Sequence, residues 1–357
     1  MRKLDWYIFK KFIGTFFFAI SLLIVVVIVF DVSENVDSFI KNHASLYEVV
    51  FHYYIPFIPY FINLFIFLFT FISVIFFTSK MAGHTEIIAI LSSGISFRRF
   101  LWPYIMAALL LASGSFYLGN FLIPRMDTVR RTFKNTYMEN LMKSSGQNIH
   151  VQIEKGVYAY MSSYDLKRAT GYKFTLEKFD NHTLEYKISA DKITYDTLND
   201  RWNLANYVEY YFMPEEKLVR GKVKDTTLMM KSSDFYFVKE DFEEMNLIEL
   251  NRYIAESRVK GADNILPYEI EKHKRLASPA AIIILTLIGA SLSSRKTRGG
   301  MGLNLGIGIT ITFTYIIFME FFRVFAVSGI ISPLMAGWLP NIIFATIGIY
   351  FVVKAPK

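Results

Sequence analysis

The sequence predicts a membrane α-helical protein of six transmembrane helices, with an all-β, jelly-roll-like domain inserted between helices 3 and 4. Three observations predict it. Hydrophobic residues make up 53% of the 357, above the roughly 45–50% of soluble domains. Lys and Arg gather at the ends of long apolar runs rather than in one patch. A long central insert alternates polar and apolar residues where the rest of the chain does not. The net charge of +8 therefore reads as membrane anchoring, and no nucleic acid is expected. With no cysteine, disulfides and thiolate metal sites are excluded, and the insert must be held by its own core.

The runs set the spans. A bilayer core of ~30 Å needs ~20 apolar residues in helix. Phe12 to Phe30, Tyr53 to Thr78, Phe100 to Ile123, Leu276 to Ser294, Met301 to Met319 and Met335 to Val353 meet that need. The first run exceeds the ~7–15 residues of a signal-peptide core, and no small-x-small cleavage site follows it. Short loops on one side hold twelve basic residues, among them Lys10, Lys11, Lys80, Arg98, Arg99 and Arg295. The opposite short segments, Asp31 to His52 and Arg323 to Leu334, hold only Lys41 and Arg323. The Lys/Arg bias of short loops marks the cytoplasmic side. Both termini are thus expected there, with the insert outside.

From Asn148 the pattern shortens to strands. Val157-Tyr-Ala-Tyr-Met, Lys173-Phe-Thr-Leu-Glu-Lys-Phe, Thr183-Leu-Glu-Tyr-Lys-Ile, Tyr207-Val-Glu-Tyr-Tyr-Phe and Asp234-Phe-Tyr-Phe-Val are rich in aromatic and β-branched residues. Turn signals such as Asp180-Asn-His, Asn199-Asp and Pro214-Glu-Glu separate them. Spacing of about ten residues predicts one antiparallel sandwich or curled sheet. Tyr158, Tyr160, Phe174 and Phe179 are read as lining an apolar groove. Leu247, Leu250 and Ile254 then recur at helical spacing and lead back to the fourth span. The expected divisions are residues 1–123, 124–275 and 276–357. Taken alone, a β domain of this kind reads equally as a binding module or an inert spacer.

Chemistry-bearing motifs are missing. No G-x-x-x-x-G-K-[ST] phosphate loop, H-E-x-x-H or G-x-S-x-G occurs, and the six histidines are scattered. Ionisable groups are almost absent from the spans, which disfavours an ion-coupled carrier. No catalytic residue, metal or cofactor is expected. In the glycine-rich run from Gly299, Gly302-x-x-x-Gly306 is read as a site where another helix backbone approaches closely.

The segment from Lys80 to Arg99 is the most informative. Thr85 is read as a cap for a short helix over about 85–96, with Glu86 in its first turn. Ile87, Ile88, Leu91 and Ile95 form an apolar stripe, and Gly94 closes the helix. Such a helix suits docking in a groove of another protein. It equally suits lying on lipid.

With its sequence His84-Thr-Glu-Ile-Ile-Ala-Ile-Leu-Ser-Ser-Gly-Ile-Ser between spans two and three, the chain resembles the lipopolysaccharide export permeases, the YjgP/YjgQ or LptF/LptG family. The resemblance includes Leu4-Asp-Trp-Tyr-Ile-Phe-Lys-Lys-Phe, Asp200-Arg-Trp-Asn-Leu-Ala-Asn, Arg275-Leu-Ala-Ser-Pro and Gly299-Gly-Met-Gly-Leu-Asn-Leu-Gly. It extends over essentially the whole chain. It implies a non-ATPase permease subunit in a bacterial inner membrane, paired with a second permease of the same family. A cytoplasmic ABC ATPase dimer would dock on the coupling helix through Glu86, Ile87, Leu91 and Gly94. Lipopolysaccharide would enter laterally through gates formed by spans one and five. It would pass along the β domain to a periplasmic bridge protein of similar β fold. Family members often carry basic residues at the outer end of span one, where this chain has Lys41 alone. Arg125, Arg130, Arg131 and Lys134 are the candidates to supply the missing charge. The alternative reading is an envelope assembly scaffold whose β domain binds partners without moving lipid.

Overall fold

Six helices are long and apolar enough to cross a membrane. The computed structural model describes residues 3–138, 147–154, 156–165, 168–180, 183–196, 201–212, 216–228, 230, 241–259, 265–295 and 300–355. In chain order these comprise α1 (Lys3–Lys41), α2 (Leu46–Gly83), α3 (Glu86–Ser92) and α4 (Phe97–Tyr137). Six strands follow: β1 (Gln147–Glu154), β2 (Val157–Asp165), β3 (Thr170–Asp180), β4 (Thr183–Asp196), β5 (Arg201–Tyr211) and β6 (Lys217–Thr226). The chain closes with α5 (Asp241–Glu244), α6 (Leu247–Val259), α7 (Leu266–Ser293), α8 (Gly300–Val327) and α9 (Pro333–Lys354). Two bodies result. One is Met1–Met138 with Phe242–Ile254 and Asn264–Lys357; the other is Glu139–Asp241 with Ala255–Asp263. The expected strand at Asp234 and the turns at Asn199 and Pro214 lie outside the described residues.

In the helical body the spans are longer than their apolar runs. Asp31, which ends the first run, lies inside α1 and accepts hydrogen bonds from the hydroxyls of Tyr53 (3.1 Å) and Tyr54 (3.0 Å). A π-helical stretch over Val49–Tyr54 widens the start of α2 and turns both adjacent tyrosines to one carboxylate. The partnered charge no longer terminates the helix. Polar pairs also join helices inside the apolar zone. Asn304 donates to Ser79 Oγ (3.0 Å), Tyr315 to Asn341 Oδ1 (3.0 Å), and Asn341 to the Ala277 carbonyl (2.9 Å). Such bonds are worth only ~0.6–2 kcal/mol each in lipid, but they fix rotation about the helix axis.

The close helix contact of α8 is not where the glycine spacing put it. A Cβ built on Gly302 or Gly306 meets nothing within 4 Å in this chain, so neither serves as an internal packing site. Gly308 does. It is buried, and a Cβ there would collide with Ile75 and lie 2.8 Å from Phe71 Cε1, both on α2. Gly308→Leu is expected to lower stability by ~1–3 kcal/mol through overpacking. Gly302→Leu in the isolated chain should leave the melting temperature in detergent near wild type, and equal melting of the two variants would refute the assignment.

The β body is a single antiparallel sheet in sequential order, β1-β2-β3-β4-β5-β6. One face carries the core: Met161, Tyr164, Phe174, Ile193, Trp202 and Leu204 are all at most 1% exposed. Leu228 and Met230, after β6, pack against that face, and Trp202 Nε1 donates to the Met230 carbonyl (2.9 Å). Lys173 and Asn206, inside β3 and β5, have positive φ (50° and 52°). They flank Asp191 at the same level of the sheet, and the Asn206 amide donates to its Oδ2 (3.0 Å). Across this line the spacing of core positions jumps from two to three: 159, 161, then 164 on β2, and 188, 190, then 193 on β4. The line is a transverse crease at which β2 and β4 change phase together.

Candidate functional site

Thr85 sits in the left-handed region (φ 61°) and makes no side-chain cap; its hydroxyl donates to its neighbour's His84 carbonyl (2.6 Å). The helix begins only at Glu86 and is seven residues long, shorter than the expected 85–96. Gly94 (φ 86°) reverses the chain after it, and Ser96 caps α4 through the Arg99 amide (3.4 Å).

Side chains of α3 divide sharply. Ile87 is 1% exposed and belongs to the helical core with Phe97, Met81 and Ile8. Ile90 and Leu91 pack partly against the same core. Ile87 is therefore an anchor and not a docking residue, which corrects its place in the expected stripe. Ile88 is 55% exposed on the other face. Glu86 stands beside His84 Nδ1 (3.8 Å), with its side chain 39% exposed. Arg99, counted from sequence among the basic residues of the short loops, donates to Asp5 Oδ2 of α1 (2.6 Å). Asp5 is 4% exposed. The start of α1 is thus tied through Asp5 to the helix that follows the α3 segment, a link that charge counting did not find.

At the opposite ends of the spans the basic residues separate into two kinds. Arg130 Nη2 lies 3.0 Å from Asp127, with its guanidinium 5.0 Å over the Tyr60 ring. Arg131 pairs with Glu244. Lys134 sits 5.8 Å over the Tyr53 ring. These three are held by their own chain. Lys41, in the last turn of α1, and Arg125 are exposed.

On the sheet, the four aromatics expected to line one groove do not share a face. Phe174 lies two positions from Leu176, which pairs with Ala159, and all three are buried. Tyr158 and Tyr160 alternate to the other side, where Tyr158 is 44% exposed and packs edge-on against Phe179 (5.9 Å). The partly buried aromatics that do border the core are Tyr186, Tyr195 and Tyr207.

That face also carries a charge. Glu209 is 4% exposed, accepts from the Tyr186 hydroxyl (2.6 Å) and pairs with Lys224. The bond to Glu209 holds the Lys224 ammonium above its ordinary pKa, and burial, then Glu209, raises the Tyr186 phenol. Lys224 therefore stays charged and Tyr186 protonated at neutral pH. The Lys224 contribution persists until pH rises through its raised value. Among the described residues no group of three His, Asp or Glu side chains gathers to hold a metal ion.

No curated protein matches the chain. A family model described as "Lipopolysaccharide export system permease LptF/LptG" matches residues 6–354. That range takes in the α3 segment, every strand of the sheet and all but the first three residues of the six candidate spans. The chain belongs to the LptF/LptG family of lipopolysaccharide export system permeases.

Proposed function

We propose that this permease is the membrane subunit of an ABC-type lipopolysaccharide exporter, driven by a separate cytoplasmic ATPase dimer docked on α3. The supporting observation is how α3 is held. Ile87 roots it in the transmembrane core, leaving Glu86 and Ile88 outward and Gly94 to set its exit. A push on α3 is passed to α1 through the core that Ile87 and Ile8 share and through the Asp5–Arg99 pair.

A second permease of the same family pairs along α1 and α8 in this reading, and lipid enters beside them. Only 17% of the most apolar window of each is buried by the chain itself, against 56% for α7. Gly302 and Gly306, bare on α8, are available to such a partner. Lys41 and Arg125 are the exposed cations for lipid phosphates, while Arg130 and Arg131 hold their helix in position. The sheet then carries acyl chains on its core face and passes them to a bridge protein of similar fold.

The lipid path is tested with photo-crosslinking residues during ATP turnover by the complex isolated with its ATPase. Capture of lipopolysaccharide is expected at Tyr195 and Tyr207 and not at Tyr158 or Tyr160. Equal capture on both faces, or capture without ATP, points to a scaffold instead. Orientation is tested by cysteine labelling, free of background because the chain has no cysteine. Cysteine at Ser96 should be shielded from an impermeant reagent in intact cells, and cysteine at Asn199 should react once the outer membrane is permeabilised. Labelling at position 96 from outside reverses the topology.

A further inference from the structure

On the core face of the sheet, which the export reading gives to acyl chains, Glu209, Lys224 and Tyr186 form a charged group that acyl chains alone do not need. Its parts come from three strands. Tyr207 of β5 lies opposite Gly221 of β6, and a Cβ on Gly221 would stand 2.6 Å from the Tyr207 ring. Glycine is what lets the ring lie against β6. Lys224 sits opposite Leu204 and Glu209 opposite Val219, on either side of the level of Asn206. The Lys224 stem bridges that level, with Nζ 5.7 Å over the Tyr207 ring and paired with Glu209. Tyr186, on β4, gives its hydroxyl to the same carboxylate oxygen (2.6 Å).

The anion is the hidden partner and the cation the presented one. The Glu209 side chain is 5% exposed and that of Lys224 is 34% exposed. An ammonium carries three donors, and Glu209 takes one of them. Arg220, opposite Val208, alternates to the other face of the sheet. Tyr211, its ring 5.0 Å from that of Tyr186, extends the aromatic wall beside the pair. An ion pair set among apolar residues is weak evidence for stability, since apolar side chains of similar size often replace such pairs at no loss. What the pair does supply is an ammonium fixed at one point of an acyl-lined surface by a buried counter-charge.

A lone ammonium recognises phosphate as a point charge, without the fork that arginine brings. A phosphate monoester carries close to two negative charges at neutral pH. It therefore competes for the Lys224 ammonium against the single charge of Glu209. We propose that Lys224 reads the phosphate monoester of an acylated lipid lying on this face, with Glu209, Tyr186 and the Tyr207 ring holding it in position. The proposal rests on the reading that the core face carries acyl chains. It adds a headgroup contact within the β body, separate from the exposed cations Lys41 and Arg125 of the helical body.

The test offers the full chain in detergent a phosphatidic acid with a photoactivatable acyl chain, or the diacylglycerol of the same chains. Labelled peptides are mapped by mass spectrometry. Phosphatidic acid should label the strand segments around Ala190 and Tyr207 roughly tenfold more than the diacylglycerol, the scale of one charge-assisted hydrogen bond. Lys224→Met should remove the preference. That variant strands Glu209, so if it does not fold, Glu209→Leu combined with Lys224→Met decides in its place. Glu209→Gln keeps an acceptor for both donors and should retain the preference. Inorganic phosphate that competes at millimolar level identifies free phosphate as an occupant of the site; labelling that it leaves intact identifies the lipid-borne group. Equal labelling by both lipids overturns the proposal and leaves the acyl face standing. Labelling by neither lipid removes the acyl face as well. A preference that survives Lys224→Met, or one lost with Glu209→Gln, also overturns the proposal and makes the pair a brace between strands.

Discussion

Glu86→Lys is expected to lower ATPase retention and coupled activity at least tenfold, with membrane abundance unchanged. Glu86 sits about 100° round α3 from the buried Ile87, with its side chain 39% exposed. If it meets a basic residue of the ATPase, removing one partner of such an interfacial pair costs roughly 2–5 kcal/mol. At ~1.4 kcal/mol per tenfold, the lower end already exceeds an order of magnitude. The reversed charge adds repulsion, so Glu86→Lys should exceed Glu86→Ala. A rival account is that Glu86 only favours the helix dipole. That term is ~0.3–1 kcal/mol for an ordinary helix end, and α3 is a seven-residue helix without a side-chain cap. Under the rival account Glu86→Gln and Glu86→Lys would behave alike and mildly. Pull-down of the ATPase by wild type, Glu86→Gln and Glu86→Lys separates the two. Undiminished recovery with Glu86→Lys removes α3 from the docking site.

The helical body was legible because lipid imposes one rule, that about twenty apolar residues must run without an unpartnered charge. Where sequence reading slipped, a partner was involved. Asp31 looked like the end of a span, and two tyrosine hydroxyls make it an internal residue. Gly302 and Gly306 had the spacing of a contact, but the contact is at Gly308, because it is the neighbour on α2, Phe71 and Ile75, that selects the glycine. In α3 the periodicity grouped Ile87, Ile88, Leu91 and Ile95, but Ile88 is 55% exposed and Ile95 lies beyond the helix. Periodicity cannot tell whether a stripe faces its own protein or another, and Ile87 faces its own.

The sheet was legible as strands and not as a surface. Alternation assigns faces only while the phase holds. Tyr158 pairs with Glu177, and Phe174 lies two positions from Leu176, the partner of Ala159, so the register between β2 and β3, which composition does not give, sets their faces. Tyr158 and Phe174 look equivalent in sequence and stand on opposite faces. A non-glycine residue in the left-handed region leaves little trace in composition. Asn206 was the one available hint, since Asn tolerates that conformation better than most residues.

Arg275→Met is expected to destabilise the helical body by ~3–5 kcal/mol, the scale of a buried ion pair broken on one side. In sequence Arg275 was only the first residue of a motif entering the fourth span. In the structure its side chain is 8% exposed, and all three guanidinium nitrogens are committed. Two of them hold the Phe242 and Met245 carbonyls, where the chain rejoins the helical body. Truncation strands the Glu271 carboxylate, whose remaining cation, Lys274, is 3.8 Å away. It also orphans two carbonyls, each costing ~1–3 kcal/mol if no water reaches it. Lysine cannot replace the fork, because its single ammonium does not span three acceptors. Arg275→Lys should therefore recover little. Glu271→Leu combined with Arg275→Met should recover more, since it removes the stranded charge rather than answering it. Melting of the detergent-solubilised chain, with abundance in the membrane as a second readout, checks the order wild type, double variant, Arg275→Met. A melting temperature for Arg275→Met equal to wild type would show that the three bonds contribute nothing to holding the return segment on α7.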